Sequence, residues 1–321
     1  MSNEGNEALR APECDREFLQ TVWDGLAAKP KRIPPKYFYD ARGSELFEAI
    51  CRLPEYYPTR TERAILSRHA EAIAREVGPD AQLIEPGAGS CEKVRLLLEA
   101  LRPAAYVPVE ICAELVEAAA AQLRRAYPWL RVEPRSGDFT RLEGLLDGLA
   151  RGRPVVFFPG STVGNLEPEE AVGFLARLAA VVGPGGHLII GVDLKKDPGV
   201  LAAAYNDAAG TTAAFNRNPL VRINRELDGD FDPGAFEHRA RYDGRQGRVE
   251  MHLVSRRAQT VRVAGRAFPF AAGESIHTEN SYKYGLAEFA ELAARAGLRQ
   301  ERYWADERGW FSVQLLRAVR G

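Results

Sequence analysis

The chain has 321 residues, 45 % of them apolar and 27 % charged, with a net charge of −1. That length supplies one large core or two modest ones, and the composition is that of an ordinary globular protein. The near-neutral balance argues against a surface for DNA, RNA or anionic lipid, and the Arg124-Arg125 and Arg256-Arg257 pairs read as solvated faces.

Met1 to Arg16 is polar and acidic, without the apolar centre of a signal peptide. No stretch approaches the ~20 uninterrupted apolar residues of a spanning helix. Cys14, Cys51, Cys91 and Cys112 form no CxxC pair, which reads as reduced thiols in a cytoplasm. The five histidines form no HxxxH or HxH pair, so no metal site is expected.

The first 80 residues read as mostly helical, with aromatic residues crowded between Tyr37 and Tyr57. Gln82 to Glu85 is a β-prone run, followed by a Gly-rich turn and a helical pattern over Glu92 to Leu101. Ala105 to Val109 predicts a second strand, and Ala113 to Tyr127 a helix rich in Ala and Leu. Arg131 to Pro134 is a third strand, leading into Ser136-Gly137-Asp138-Phe139. Pro154 to Phe158 is a fourth, closed by a Gly-Ser-Thr turn. Glu169 to Val182 is helical up to Gly183-Pro184-Gly185-Gly186, and His187 to Val192 is a fifth strand ending on Asp193. This alternation predicts an α/β fold with a doubly wound, mostly parallel sheet.

Beyond Lys196 the pattern changes. Gly199 to Ala214 reads as helix, while Arg248 to Val254 and Gln259 to Phe268 alternate like antiparallel strands, an inserted α+β subdomain. Leu286 to Ala296 returns to helix. Gln300 to Trp304 and Trp310 to Val319 read as a closing hairpin.

The first strand–helix junction reads Ile84-Glu85-Pro86-Gly87-Ala88-Gly89-Ser90, and its glycines let a ligand approach the backbone. A dinucleotide fingerprint would place its third glycine at position 92, where this chain has Glu92, a carboxylate that would repel a pyrophosphate. Glu110 ends the second strand, where an acid accepts both ribose hydroxyls. Asp138 and Phe139 follow the third, suited to an adenine amino group and ring face. Glycine turn, acid and Asp-Phe together fit adenosine without a phosphate tail. That is S-adenosylmethionine rather than NAD, with S-adenosylhomocysteine as product. Its sulfonium methyl is an electrophile, so an enzyme needs chiefly to align a neutral nucleophile and exclude water.

Four further stretches stand out: Lys36-Tyr37-Phe38-Tyr39-Asp40, Leu53-Pro54-Glu55-Tyr56-Tyr57-Pro58-Thr59-Arg60, Gly160-Ser161-Thr162-Val163-Gly164-Asn165, and Phe215-Asn216-Arg217-Asn218. A fifth, Thr278-Glu279-Asn280-Ser281-Tyr282-Lys283-Tyr284, is a polar cluster. From about Phe18 onward these resemble the L-histidine Nα-methyltransferases of ergothioneine biosynthesis. The resemblance implies a class I methyltransferase fold, S-adenosylmethionine as cofactor, and trimethylation of L-histidine, through its mono- and dimethyl forms, to hercynine. It implies a monomer with no nucleic-acid or membrane partner.

Carried over by motif, cofactor contacts fall on Gly87, Lys93, Glu110, Asp138, Phe139 and Tyr56. The family usually has Asp where this chain has Glu110, and an aliphatic residue where it has Pro86. Tyr39 and Asn165 match the residues beside the reacting amine. Asn165 and Tyr205 match those on the amino and carboxylate ends, with Gly160 adding a backbone contact. Tyr56, Glu279 and Ser281 match those that hold the imidazole, and Thr212, Phe215 and Met251 line the pocket. A carboxylate accepting an imidazole N–H makes a charge-assisted bond that suits histidine. The implied organisation is a helical segment over 1–60 contributing to the substrate site and a cofactor domain over 61–195. A substrate-binding subdomain over 196–285 follows, then a helix and hairpin over 286–321 that complete the sheet.

Taken singly, each residue has a plainer reading: Met251 as core filler, Asn165 as a helix cap, Tyr39 and Tyr56 as packing residues, Glu279 as a surface acid. Two alternatives to the implied reaction stay open. One is a methyltransferase acting on another amino acid such as tryptophan. The other is a sensor that binds without catalysis.

Overall fold

The computed structural model describes residues 13–141, 144 and 152–319. Most of the polar Met1 to Arg16 stretch therefore lies outside the described residues, and so does the side chain of Cys14. The chain forms two compact units.

The larger unit comprises residues 48–207, 242–249 and 280–321. Its sheet is built from β1 (Ala81–Pro86), β2 (Ala105–Glu110), β3 (Arg131–Val132), β4 (Arg153–Phe158), β5 (His187–Asp193), β6 (Leu298–Ala305) and β7 (Phe311–Ala318). Their order across the sheet is β3-β2-β1-β4-β5-β7-β6. The first five run parallel, and β7 is antiparallel to both of its neighbours. The expected doubly wound sheet of a class I methyltransferase is thus present, with the sequence-predicted hairpin completing it.

Side-chain alternation sorts the strands onto two cores. Leu83, Tyr106, Val155, Phe157 and Ile189 face the helices Tyr57–Val77, Arg95–Leu101 and Ala113–Ala126. Ile84, Val107, Val156, Phe158 and Ile190 face Pro168–Val182 and Leu286–Arg295. Strand order reverses between β1 and β4. The two loops leaving the carboxyl ends of these neighbours flank the position where ligands of such sheets bind. Gly87 to Ser90 and Pro159 to Asn165 are those two loops.

The smaller unit comprises residues 1–47, 208–241 and 250–279. Its sheet orders the strands Lys31–Arg32, Ser275–Tyr282, Arg248–Ser255 and Phe236–Asp243, and a separate hairpin pairs Gln259–Val263 with Arg266–Phe270. Its core gathers Phe18, Val22 and Leu26 from the helix Glu13–Ala27, Leu220 and Ile223 from the helix Thr211–Glu226, and Phe236, Leu253, Phe270 and Ile276 from the strands.

The Phe215 to Asn218 block, opaque in sequence, is a set of ties between this helix and its surroundings. Asn216 Nδ2 donates to the His252 carbonyl at 3.1 Å, and its Oδ1 accepts from Thr278 Oγ1 at 2.6 Å. Arg217 Nε donates to the Phe236 carbonyl at 2.9 Å, and Asn218 Nδ2 to the Phe38 carbonyl at 3.1 Å.

Local structure departs from the sequence reading in three places. The Gly199 to Ala214 pattern is two helices, Pro198–Tyr205 and Thr211–Glu226. The first is capped by Asp197, and the second starts after Gly210 at φ 73°. The Gln259 to Phe268 run folds back at Ala264-Gly265, both at positive φ, into a hairpin. The third strand stops at Val132, and an eighth short strand, Arg135–Ser136, resumes the parallel pairing with Ala105–Glu110. No helix among the described residues is long and apolar enough to cross a membrane.

Candidate active site

At the end of β1 the chain turns through Gly87 at φ 69° and Gly89 at φ 53°. A Cβ on Gly87 would sit 3.2 Å from the Phe139 ring, so backbone conformation and space both require glycine there. The turn is held to β2 by Gly87 N donating to the Val109 carbonyl at 2.8 Å. Glu110 joins it as well. One carboxylate oxygen accepts from Gly89 N at 2.9 Å and the other from Ile111 N at 2.8 Å. The latter, Oε1, also accepts from Cys112 N at 3.4 Å, so it is Oε2, with one such bond, that keeps a lone pair for a hydroxyl. Asp138 Oδ1 accepts from Thr140 N at 2.9 Å and Thr140 Oγ1 at 2.6 Å, which sets the turn that carries Phe139. The Phe139 ring rests against Phe158 and Phe174, with centroids 5.8 and 5.9 Å apart. Gly87, Glu110, Asp138 and Phe139 therefore come together at the carboxyl ends of β1 and β2.

Beneath the turn, Glu85 is buried on β1 and accepts from the Tyr106 hydroxyl at 2.5 Å. Burial pushes its carboxyl up to about 8, against the opposing pull of the Tyr106 bond and of Lys93.

Lys93 and Gly160 meet on a residue that sequence reasoning missed. Glu62, 1 % exposed, accepts from Lys93 Nζ at 2.6 Å and from Gly160 N at 2.8 Å. Gly160 takes φ 85° in the loop after β4. Asn165 ends the short 3-10 turn Thr162–Asn165, and the cap of the next helix is Glu167. The helix-cap reading of Asn165 is therefore excluded.

A second buried network lies at the end of β5. Asp193 accepts from Lys283 Nζ at 2.7 Å and from the Tyr57 hydroxyl at 2.8 Å, and it also pairs with Lys196. Lys283 donates onward to the Tyr205 hydroxyl at 2.9 Å and to Ser281 Oγ at 2.7 Å, and these two hydroxyls lie 2.7 Å apart. Burial alone would raise Asp193, but the charges of Lys283 and Lys196 outweigh it and hold the carboxyl below its usual range. Burial and the neighbouring Asp193 together push the Tyr57 hydroxyl far up, so it stays a donor. Burial lowers Lys196 to about 8 despite Asp193. The Tyr56 ring stands edge-on to that of Tyr205, with centroids 6.3 Å apart. Tyr56, Tyr205 and Ser281 thus share one neighbourhood of the larger unit.

The remaining expected residues belong to the smaller unit. The Tyr39 ring packs edge-on against Phe215, with centroids 5.7 Å apart, and Phe215 stacks on Phe38 at 4.5 Å. Thr212 is buried on the same helix as Phe215. Met251 is buried on a neighbouring strand, its carbonyl accepting from Thr278 Oγ1 at 3.0 Å. Glu279 is buried on the strand Ser275–Tyr282.

Glu62, Asp193, Lys196 and Tyr57 went unassigned in sequence, and Lys283 appeared only as a letter in a motif. A usable signal existed in one case: Asp193 closes a strand whose other residues, His187 apart, are apolar or glycine.

The profile of a family described as histidine-specific, SAM-dependent methyltransferases matches residues 18–318. The chain is 46 % identical over 318 residues to the histidine N-alpha-methyltransferase of Mycolicibacterium smegmatis, covering 97 % of this chain and 98 % of that one. It is 45 % identical over 301 residues to the protein of the same name from Mycobacterium tuberculosis, covering 92 % of each. Ergothioneine biosynthesis protein 1 of Neurospora crassa is 31 % identical over 298 residues, which cover 86 % of this chain and 32 % of that longer protein. The chain belongs to the histidine-specific, SAM-dependent methyltransferase family.

Proposed function

We propose that this protein trimethylates the α-amino group of L-histidine to give hercynine, using S-adenosylmethionine, at the first step of ergothioneine biosynthesis. The observation that carries this reading is the near full-length match, at 46 % identity, to a histidine N-alpha-methyltransferase.

The site's chemistry supports the cofactor. A turn free of side chains at Gly87, a flanking aromatic ring at Phe139 and a carboxylate with a spare lone pair at Glu110 suit the ring and ribose of an adenosine. Asp138, Lys93 and Tyr56 complete the set. When bound, the cofactor supplies a methyl group on a positively charged sulfur. The protein's task is alignment and desolvation. Asn165 and Tyr39 hold the amine with its lone pair available, and Tyr39 relays the departing proton through water. Tyr205, with Gly160, takes the carboxylate end. Glu279, Ser281 and Tyr56 hold the imidazole, with Phe215 and Met251 as apolar wall and Thr212 beside them. Segments 1–60 and 196–285 serve the acceptor, and 61–195 serves the cofactor. The protein works as a cytoplasmic monomer, a location in keeping with the unpaired thiols of Cys51, Cys91 and Cys112.

The test is incubation with S-adenosylmethionine and each of the twenty amino acids, reading S-adenosylhomocysteine release and product mass. Histidine alone should gain three methyl masses. Turnover of a different amino acid would overturn the acceptor, and binding without S-adenosylhomocysteine release would make the protein a sensor.

A further inference from the structure

We propose that Lys283 is a positioning residue of the acceptor site, holding the Tyr205 and Ser281 hydroxyls so that the one hydrogen not shared between them is presented to the bound amino acid. The inference rests on the assignment of those two hydroxyls to the acceptor.

An ammonium has three N–H groups and accepts nothing. All three of Lys283 are spent, on Asp193 at 2.7 Å, Tyr205 at 2.9 Å and Ser281 at 2.7 Å. Both hydroxyl oxygens are therefore acceptors toward the lysine, and their hydrogens must point elsewhere. Tyr205 donates the hydrogen that bridges the 2.7 Å contact with Ser281, and the Ser281 hydrogen is directed off the pair. A cation behind both oxygens polarises their O–H bonds and strengthens them as donors, Tyr205 toward Ser281 and Ser281 toward the ligand.

Fold stability is a poor reason for the arrangement. Lys283 and Asp193 are each 1 % exposed, and buried ion pairs are commonly no more stabilising than apolar packing. Lys283 also explains why Tyr205, at the end of a helix, and Ser281, on a strand, keep one geometry. The ammonium is their common partner.

The experiment compares wild type with Lys283→Met, Lys283→Arg and Asp193→Asn/Lys283→Met. It reads kcat and KM for histidine, S-adenosylmethionine affinity by calorimetry, and thermal unfolding. The double variant removes the Lys283–Asp193 pair, leaving Lys196 as the remaining buried ionisable group of the network, and is read in the same way if Lys283→Met fails to fold. Lys283→Met should raise KM for histidine by about ten- to a hundredfold, with cofactor affinity unchanged. Lys283→Arg should recover only part, because a planar fork cannot reach all three partners. In a Tyr205→Phe/Ser281→Ala background, Lys283→Met should add little. A folded Lys283→Met protein with wild-type KM overturns the proposal, and so does a loss that multiplies independently in that background. If wild type methylates an amino acid other than histidine, the functional reading fails, and the same series on that acceptor decides the role of Lys283. If wild type methylates no free amino acid, the acceptor assignment falls and the role of Lys283 falls with it.

Discussion

The ammonium of Lys93 lies 2.6 Å from the carboxylate of Glu62, and that carboxylate also receives the Gly160 N–H at 2.8 Å. One buried acid thus ties a residue expected on the cofactor to the loop expected on the acceptor. Glu62→Ala removes the acceptor from both donors. The expected loss is about 2–4 kcal/mol in urea unfolding, tempered because Lys93 can partly reach water. Glu62→Gln keeps an acceptor for Gly160 and should lose about half as much. An alanine variant as stable as wild type would show that the contact carries no weight. Gly191→Ala probes the same contact from β5, since its Cβ would fall 2.0 Å from Glu62 Oε1.

Gly87 takes φ 69°, and its missing Cβ leaves the Phe139 ring room. Gly87→Ala should cost about 1–2 kcal/mol of stability and weaken S-adenosylmethionine binding about tenfold by calorimetry. Gly87→Ala/Phe139→Leu relieves the crowding but not the strained backbone, so it should recover only part of the stability. Unchanged cofactor affinity in Gly87→Ala would remove this turn from the site.

Glu85 predicts a pH dependence of stability. Its carboxyl titrates near 8 in the folded chain, against an ordinary value of 4.5. Between those values the folded chain keeps a proton that the unfolded chain has lost. Rising pH therefore disfavours the folded state, by at most about 1.4 kcal/mol per pH unit from this group. Below 4.5 both states are protonated, and above about 8 both are ionised, so the contribution is flat outside the window. Glu85→Gln still accepts from Tyr106 and cannot ionise. Its stability relative to wild type should climb through the window and then level off, as read by denaturant unfolding across roughly pH 5 to 9. Parallel curves for the two proteins would contradict the assignment.

Glu279 is expected to choose the acceptor. Glu279→Ala should raise KM for histidine about ten- to a hundredfold and relax selection toward aromatic amino acids lacking the imidazole N–H. A competition assay with histidine, phenylalanine and tryptophan reads both effects. Histidine turnover untouched by the change would mean that another group holds the imidazole.

Much of the architecture was legible before any coordinates. The runs at Gln82, Ala105, Pro154 and His187 became β1, β2, β4 and β5, because buried parallel strands need apolar side chains on both faces. The helix break between Tyr205 and Thr211 was not legible. Ala-rich segments either side of Asn206 to Gly210 share one helical periodicity, and only the non-helical backbone of Asn206 and the positive φ of Gly210 separate them. Cofactor residues were easier to name than their supports. Gly87, Glu110 and Phe139 follow strand ends at short, regular distances, whereas Glu62 reaches Gly160 across 98 positions.

By itself, then, the sequence determined the sheet, its two apolar faces, the glycine turn and, through its motifs, the family. These follow from local periodicity and short-range backbone chemistry. Only the tertiary structure decided which charges are buried and what holds them: Glu62 between Lys93 and Gly160, and Asp193 among Tyr57, Lys196 and Lys283. A charged side chain looks the same in sequence whether water or protein solvates it. Its role is set by partners that the fold brings from distant parts of the chain, and by the cost of burying it without them.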